Sequence, residues 1–138
     1  MPSSHENDGI KLPRLQHVSL SIKSGSQDQI RAFYSGLLGF QEKQAPASLA
    51  ARGVVWFAAG VGEIELHFVP DTYLQRSEEA RHFCLEVSDM EAYRNALKEA
   101  GYQIIEAEPI PHRPRFFTID PCGNHLEITT ILGDYTQA

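Results

Sequence analysis

"RHFCLEVSDMEAYRNALKEAG", residues 81–101, decides the fold, because it places an alternating strand directly before an amphipathic helix and that order has already occurred once upstream. Phe83, Leu85 and Val87 alternate with His82, Cys84 and Glu86, the period-two pattern of a strand with one apolar face. From Ser88 the apolar spacing lengthens to that of a helix, with Ser88-x-x-Glu91 as a capping box and Gly101 as the stop. Upstream, "LQHVSLSI" (15–22) sets Val18, Leu20 and Ile22 against His17, Ser19 and Ser21. A second helical stretch follows it, "SQDQIRAFYSGLLG" (26–39), with Ser26-x-x-Gln29 as its capping box.

Each helix is followed by three strand-like segments. They are "FQEKQ" (40–44), "GVVWFAA" (53–59) and "EIELHFV" (63–69) in the first half, the last two joined through "GVG" (60–62). In the second half they are "YQIIEA" (102–107), "RFFTI" (115–119) and "HLEITTI" (125–131), the last two joined by "DPCG", whose Pro and Gly suit a type I turn. The chain thus reads strand, helix and three strands, twice. His82 lies 65 positions after His17, and Glu127 lies 62 after Glu65 when "IEL" is matched to "LEI". The expected boundaries are a flexible lead-in (1–13), a first unit (14–71), a linker (72–80), a second unit (81–132) and a short tail (133–138).

Composition narrows the function. The 138 residues are 42% hydrophobic, enough for one domain-sized core. A net charge of −6 without a dense Lys/Arg cluster speaks against nucleic acid and anionic membranes as partners. No apolar run has the length of a signal peptide core or a membrane span, so a soluble, cytoplasmic protein is expected. Two cysteines, Cys84 and Cys122, without CxxC spacing are expected to be free thiols.

The repeated polar faces are where chemistry can reside. A strand at Glu63–Phe68 puts Glu63, Glu65 and His67 on one side and Ile64, Leu66 and Phe68 on the other. Each half then offers a strand with a leading His and a strand with a central Glu: His17 and Glu65, His82 and Glu127. Two imidazoles and two carboxylates suit Zn, Ni, Co, Mn or Fe(II), with positions left for substrate. The same alternation also describes any sheet with one wet face, where a single His or Glu is merely solvated. Ser19, Ser21, Cys84, Glu86 and Thr129 continue these faces. Arg113 and Arg115 are candidates for meeting an anionic substrate, Trp56 and Tyr73 for lining an apolar pocket, and Gly123 and Asn124 for turn chemistry.

The order βαβββ twice, with "QHVSLSI", "AFYSGLLGF", "EIELHF", "RHFCLEV" and "RFFTIDPCGNHLEI", resembles the vicinal oxygen chelate superfamily over about residues 14–132. That superfamily includes glyoxalase I, extradiol dioxygenases, methylmalonyl-CoA epimerase, fosfomycin-resistance thiol transferases and bleomycin-binding proteins. The resemblance implies an α+β fold in which two tandem βαβββ units form a curved mixed sheet around a cavity, with helices on the outer face. It implies metal ligands on the first and last strands of each unit, hence His17, Glu65, His82 and Glu127, a set similar to that of glyoxalase I. His67, on the face of Glu65, either replaces it at the metal or binds substrate beside Trp56 and Arg115.

The implied activity is lyase or isomerase chemistry on a small oxygenated metabolite or thiol adduct. A divalent metal would chelate substrate oxygens and stabilise an enediolate-type intermediate, with Glu127 as the permanent ligand and Glu65 as the mobile base. His17, His82 and Glu127 alone also match the two-His, one-carboxylate set of Fe(II) extradiol dioxygenases. A metal-free protein that sequesters a drug or metabolite, as bleomycin-binding relatives do, is the other class. The resemblance further implies a homodimer, with each site either held in one chain or shared between two.

Overall fold

The computed structural model describes residues 12–72 and 80–137. The first unit runs β1 (His17–Ile22), α1 (Gln27–Arg31, continued by a π-helical stretch, Ala32–Leu37), β2 (Gln41–Lys43), α2 (Ala47–Ala50), β3 (Val55–Gly60) and β4 (Ile64–Pro70). The second runs β5 (His82–Glu86), α3 (Met90–Glu99), β6 (Ile105–Glu106), β7 (Arg115–Ile119) and β8 (His125–Thr129). Each unit forms a four-stranded mixed sheet, in the orders β1-β4-β3-β2 and β5-β8-β7-β6. In both, the first strand pairs parallel to the last and the remaining pairs are antiparallel. The expected α+β fold of tandem βαβββ units is the one observed.

Alternation explains the layering. Ile22, Val55, Phe57, Leu66 and Phe68 from the first sheet and Phe116, Leu126 and Ile128 from the second join Ile30, Phe33, Tyr34 and Leu97 of the helices in one buried cluster. Burial on that scale, at about 25 cal/mol per Å² of apolar surface, is the main force holding the units together. The opposite sheet faces carry the polar side chains.

Helix α1 widens where the Leu38 amide donates to the carbonyl of Phe33, five residues back. This widening lets the consecutive residues Phe33 and Tyr34 both be fully buried. The Tyr34 hydroxyl crosses between units to donate to Asp120 Oδ2 at 2.7 Å. Burial and then the neighbouring Asp120 push the Tyr34 phenol well above its ordinary range, so it stays a donor. Asp120 also accepts from the amides of Cys122 (2.8 Å) and Asn124 (3.0 Å) and from Asn124 Nδ2 (3.0 Å). Asn124 Nδ2 reaches the carbonyl of Ser21 in β1 as well. The Asp120–Gly123 turn, closed by Gly123 N–H to Asp120 C=O and made possible by Gly123 at φ +89°, therefore clamps one unit to the other.

Several local expectations change. Ser26 sits at the N-cap of α1 as expected, but its hydroxyl makes no capping bond and donates to Lys23 C=O instead. The cap of α3 is Asp89, not Ser88, and accepts from the Ala92 amide. Glu63 lies outside β4 at φ +58°, so it does not share the strand face of Glu65 and His67. The short helix α2, begun at Pro46, was not expected, and β6 contracts to two residues. Tyr73 and most of the expected linker lie outside the described residues. Cys84 and Cys122 are free thiols.

Candidate functional site

The ladder register settles which residues of the two units correspond. In the first sheet His17 pairs with Glu65 and Ser19 with His67. In the second His82 pairs with His125 and Cys84 with Glu127. Counting from the leading histidines, His67 therefore occupies the place of Glu127, and Glu65 that of His125. The match of "IEL" to "LEI" is off by two residues. Sequence similarity pairs the glutamates, whereas the hydrogen-bonded ladder, which fixes where side chains project, pairs His67 with Glu127.

On the first sheet Glu65 is 3% exposed, and a carboxylate so buried needs partners. His67 Nε2 lies 2.8 Å from its Oε1, and Lys43 forms an ion pair with its Oε2. The hydrogen bond from His67 and then that from Lys43 hold Glu65 below the usual carboxylate range. The His67 ring is stacked between Trp56, at 3.9 Å and 3°, and His17, at 4.1 Å and 16°. His17 Nδ1 meets Gln16 Oε1 at 2.7 Å. A cavity of about 220 Å³ opens beside Trp56 and His67, walled by Leu49, Arg52 and Val69.

The second sheet repeats the plan with different residues. His82 Nε2 lies 3.0 Å from Glu127 Oε1, while Arg115 Nη1 reaches Oε2 at 3.3 Å. Arg115 is fixed in turn by two bonds to the Glu108 carbonyl (3.2 and 2.9 Å) and by the face of Phe117. The His82 ring stands edge-on to Phe117 at 4.8 Å. A second cavity of about 220 Å³ lies here, lined by Glu127, Arg115, Cys84, Ile110 and Tyr135. Desolvation and then the Glu127 charge push the Cys84 thiol up to about 11, which keeps it protonated at neutral pH. Arg113 lines this cavity too, its guanidinium donating to Gly133 C=O and lying over Tyr135.

Both halves thus share one construction: a carboxylate with an imidazole on one oxygen and a cation on the other. The structure brings His17, Glu65, His67 and Trp56 together on the first sheet, and His82, Glu127 and Arg115 on the second. Among the described residues, no three His, Cys, Asp or Glu side chains gather into a group able to hold a metal ion. The imidazole and carboxylate donors fit a divalent first-row cation chemically. They are divided between two sheets. Lys43, the counter-charge to Glu65, is a site residue that sequence reading missed. Its strand is short, and only its pairing opposite Trp56 brings it to the site. Ser19, His82 and Cys84 lie on edge strands whose outer positions are exposed or half-buried.

A sequence profile of the glyoxalase/bleomycin resistance protein/dioxygenase superfamily matches residues 14–128. Among solved structures, the chain is similar to a protein from Bacillus anthracis described as a glyoxalase family protein. That match has 26% identity and a TM-score of 0.77, covering 88% of this chain and 97% of that one. It is also similar to an antibiotic-binding protein from a Streptomyces species, with 19% identity, coverage of 88% and 98%, and a TM-score of 0.67. The fosfomycin resistance protein FosX from Listeria monocytogenes has 14% identity, coverage of 87% and 94%, and a TM-score of 0.69. At those lower identities the likeness is one of fold. No curated protein sequence matches the chain. Among the described residues, no helix is long and apolar enough to cross a membrane.

Proposed function

Because the chain belongs to the glyoxalase/bleomycin resistance protein/dioxygenase superfamily, we propose that it is a divalent-metal-dependent enzyme of the glyoxalase type. It would act as a lyase or isomerase on a small molecule that presents two neighbouring oxygens. The observation that carries this reading is the ladder register, which sets a donor pair at the same two strand positions of each sheet. These are His17 and His67 in one, His82 and Glu127 in the other. Bound by these four, a divalent ion would supply Lewis-acid polarisation of a substrate oxygen.

The chain's own residues do the rest. His82 and Arg115 hold the two oxygens of Glu127, so that its orientation is set before anything binds. Trp56 on the first sheet and Ile110 and Tyr135 beside the second give each cavity an apolar wall against which the body of a substrate displaces water. On this reading Glu65 is not the base, since a carboxylate held below its ordinary range by two partners is a weak proton acceptor.

Two incomplete halves in one chain favour a homodimer in which the first sheet of one protomer faces the second sheet of its partner. Mixing tests this arrangement. His17→Ala and Glu127→Ala proteins each carry a lesion in every shared site, but a mixed dimer concentrates both lesions in one site and leaves the other intact. After full subunit exchange at equal amounts, roughly a quarter of the sites should regain wild-type metal binding by the symmetry of a two-chain assembly. Verified exchange with no recovery contradicts sharing. The enzyme reading itself is tested by stripping the wild-type protein, reloading it and measuring metal per chain.

A second reading is favoured by one specific feature. Lys43 and Arg115 already neutralise Glu65 and Glu127 beside apolar walls, which also suits a metal-free protein that sequesters a drug or metabolite. A wild-type protein that takes up no metal but binds an apolar ligand supports that alternative.

A further inference from the structure

We propose that Glu65 acts through His67 as a positioning residue, fixing which ring nitrogen that histidine presents, rather than binding the metal itself. The identity of what His67 binds rests on the reading above; the contact between the two residues does not.

Three observations converge. First, the register gives Glu65 no counterpart at the position of Glu127, which belongs to His67. Second, both of its oxygens are taken, one by His67 Nε2 and one by Lys43. With both carboxylate oxygens acting as acceptors, the proton of this contact sits on Nε2, which leaves Nδ1 as the nitrogen turned to a ligand. Third, Trp56 and His17 cover both faces of the His67 ring. With its faces stacked and Nε2 engaged, the ring has one coordinating atom to offer, Nδ1, which makes no hydrogen bond among the described residues. Lys43 completes the device by balancing the Glu65 charge, so that Glu65 does not itself draw a cation away from Nδ1. Outer partners of this kind set the tautomer and orientation of a ligating imidazole.

The experiment uses the whole 138-residue chain. In metal-stripped protein carrying 15N-histidine, nitrogen–proton correlation spectra should show His67 with its proton on Nε2. Glu65→Gln keeps an acceptor in place and should preserve this tautomer, whereas Glu65→Ala should give a mixture of both.

Cobalt(II) titration then reads the consequence through fluorescence of Trp56, the chain's single tryptophan, whose contact with His67 places it next to any ion bound there. Affinity should fall about 10- to 100-fold in Glu65→Ala and much less in Glu65→Gln. The visible cobalt spectrum at saturation should be the same in all three proteins. A wild-type His67 protonated on Nδ1 overturns the proposal, and so does a cobalt spectrum whose coordination changes when Glu65 is replaced. If Glu65→Ala does not fold, the wild-type tautomer and the Glu65→Gln spectrum still decide. If wild-type protein takes up no cobalt, the metal reading falls, and the tautomer measurement alone judges the role of Glu65.

Discussion

Stripped and reloaded, His82→Ala and Glu127→Ala proteins should each bind divalent metal roughly 100-fold or more weakly than wild type, because in the proposed site each loses a direct ligand, which costs more than losing an outer partner. The two residues already meet at 3.0 Å, so each variant also removes one of the contacts that orient the other. For Glu127→Ala a further penalty follows. Arg115, tied to the Glu108 carbonyl, would remain as a positive charge beside the vacated position and repel the incoming cation. Cys84→Ser is the control: its thiol faces the same cavity but is protonated at neutral pH, and the variant should retain wild-type metal content. Metal per chain measured by mass spectrometry decides the matter. Unchanged metal content in Glu127→Ala would sink the proposed ligand set.

Asp120→Ala should be the most damaging substitution for the fold. Asp120 is 4% exposed and accepts four hydrogen bonds, from Tyr34, the Cys122 amide, and the backbone and side chain of Asn124. Its removal strands several buried donors, each costing about 1–3 kcal/mol, and the expected loss is about 3–5 kcal/mol after partial relaxation. For a domain of this size that corresponds to a fall in Tm of roughly 10–15 °C. Tyr34→Phe removes one donor and leaves Asp120 three, so its cost should be about 1–2 kcal/mol. Chemical denaturation of the two variants side by side tests the ranking. A loss below 1 kcal/mol for Asp120→Ala would show that the clamp is not where the units are held.

The repeat was legible because each unit announces itself locally, by a change of apolar period from two to that of a helix. "RFFTI" appears as a strand over the residues expected. The His82–Glu127 pair was legible for the same reason, since both residues lie on regular strands. What sequence could not supply was the register between β1 and β4, which depends on hydrogen bonds between segments more than forty residues apart. Without that register, sequence similarity matches Glu65 to Glu127, whereas the ladder matches His67 to it. Lys43 was hidden likewise, a cation on a three-residue strand whose relevance comes only from its neighbours. The caps failed on a finer scale: Asp89 stands one residue from the expected Ser88, and Ser26 finds Lys23 C=O before it finds a helix amide. The strand expected over 102–107 shrank to Ile105–Glu106. The first residue of the expected stretch, Tyr102, is still engaged by the preceding helix, its amide donating to Leu97 C=O and not to a ladder.

The Asp120 clamp also has a kinetic meaning. Turn amides ordinarily exchange their hydrogens with solvent through small local openings. The Cys122 and Asn124 amides, held by a carboxylate that also grips the opposite unit, have no such private route to water. Their exchange should require separation of the two halves, giving them protection matching that of the Leu126 and Ile128 amides in the adjoining core strand. Hydrogen exchange would then report one cooperative unfolding event for the whole repeat, read most directly at a turn.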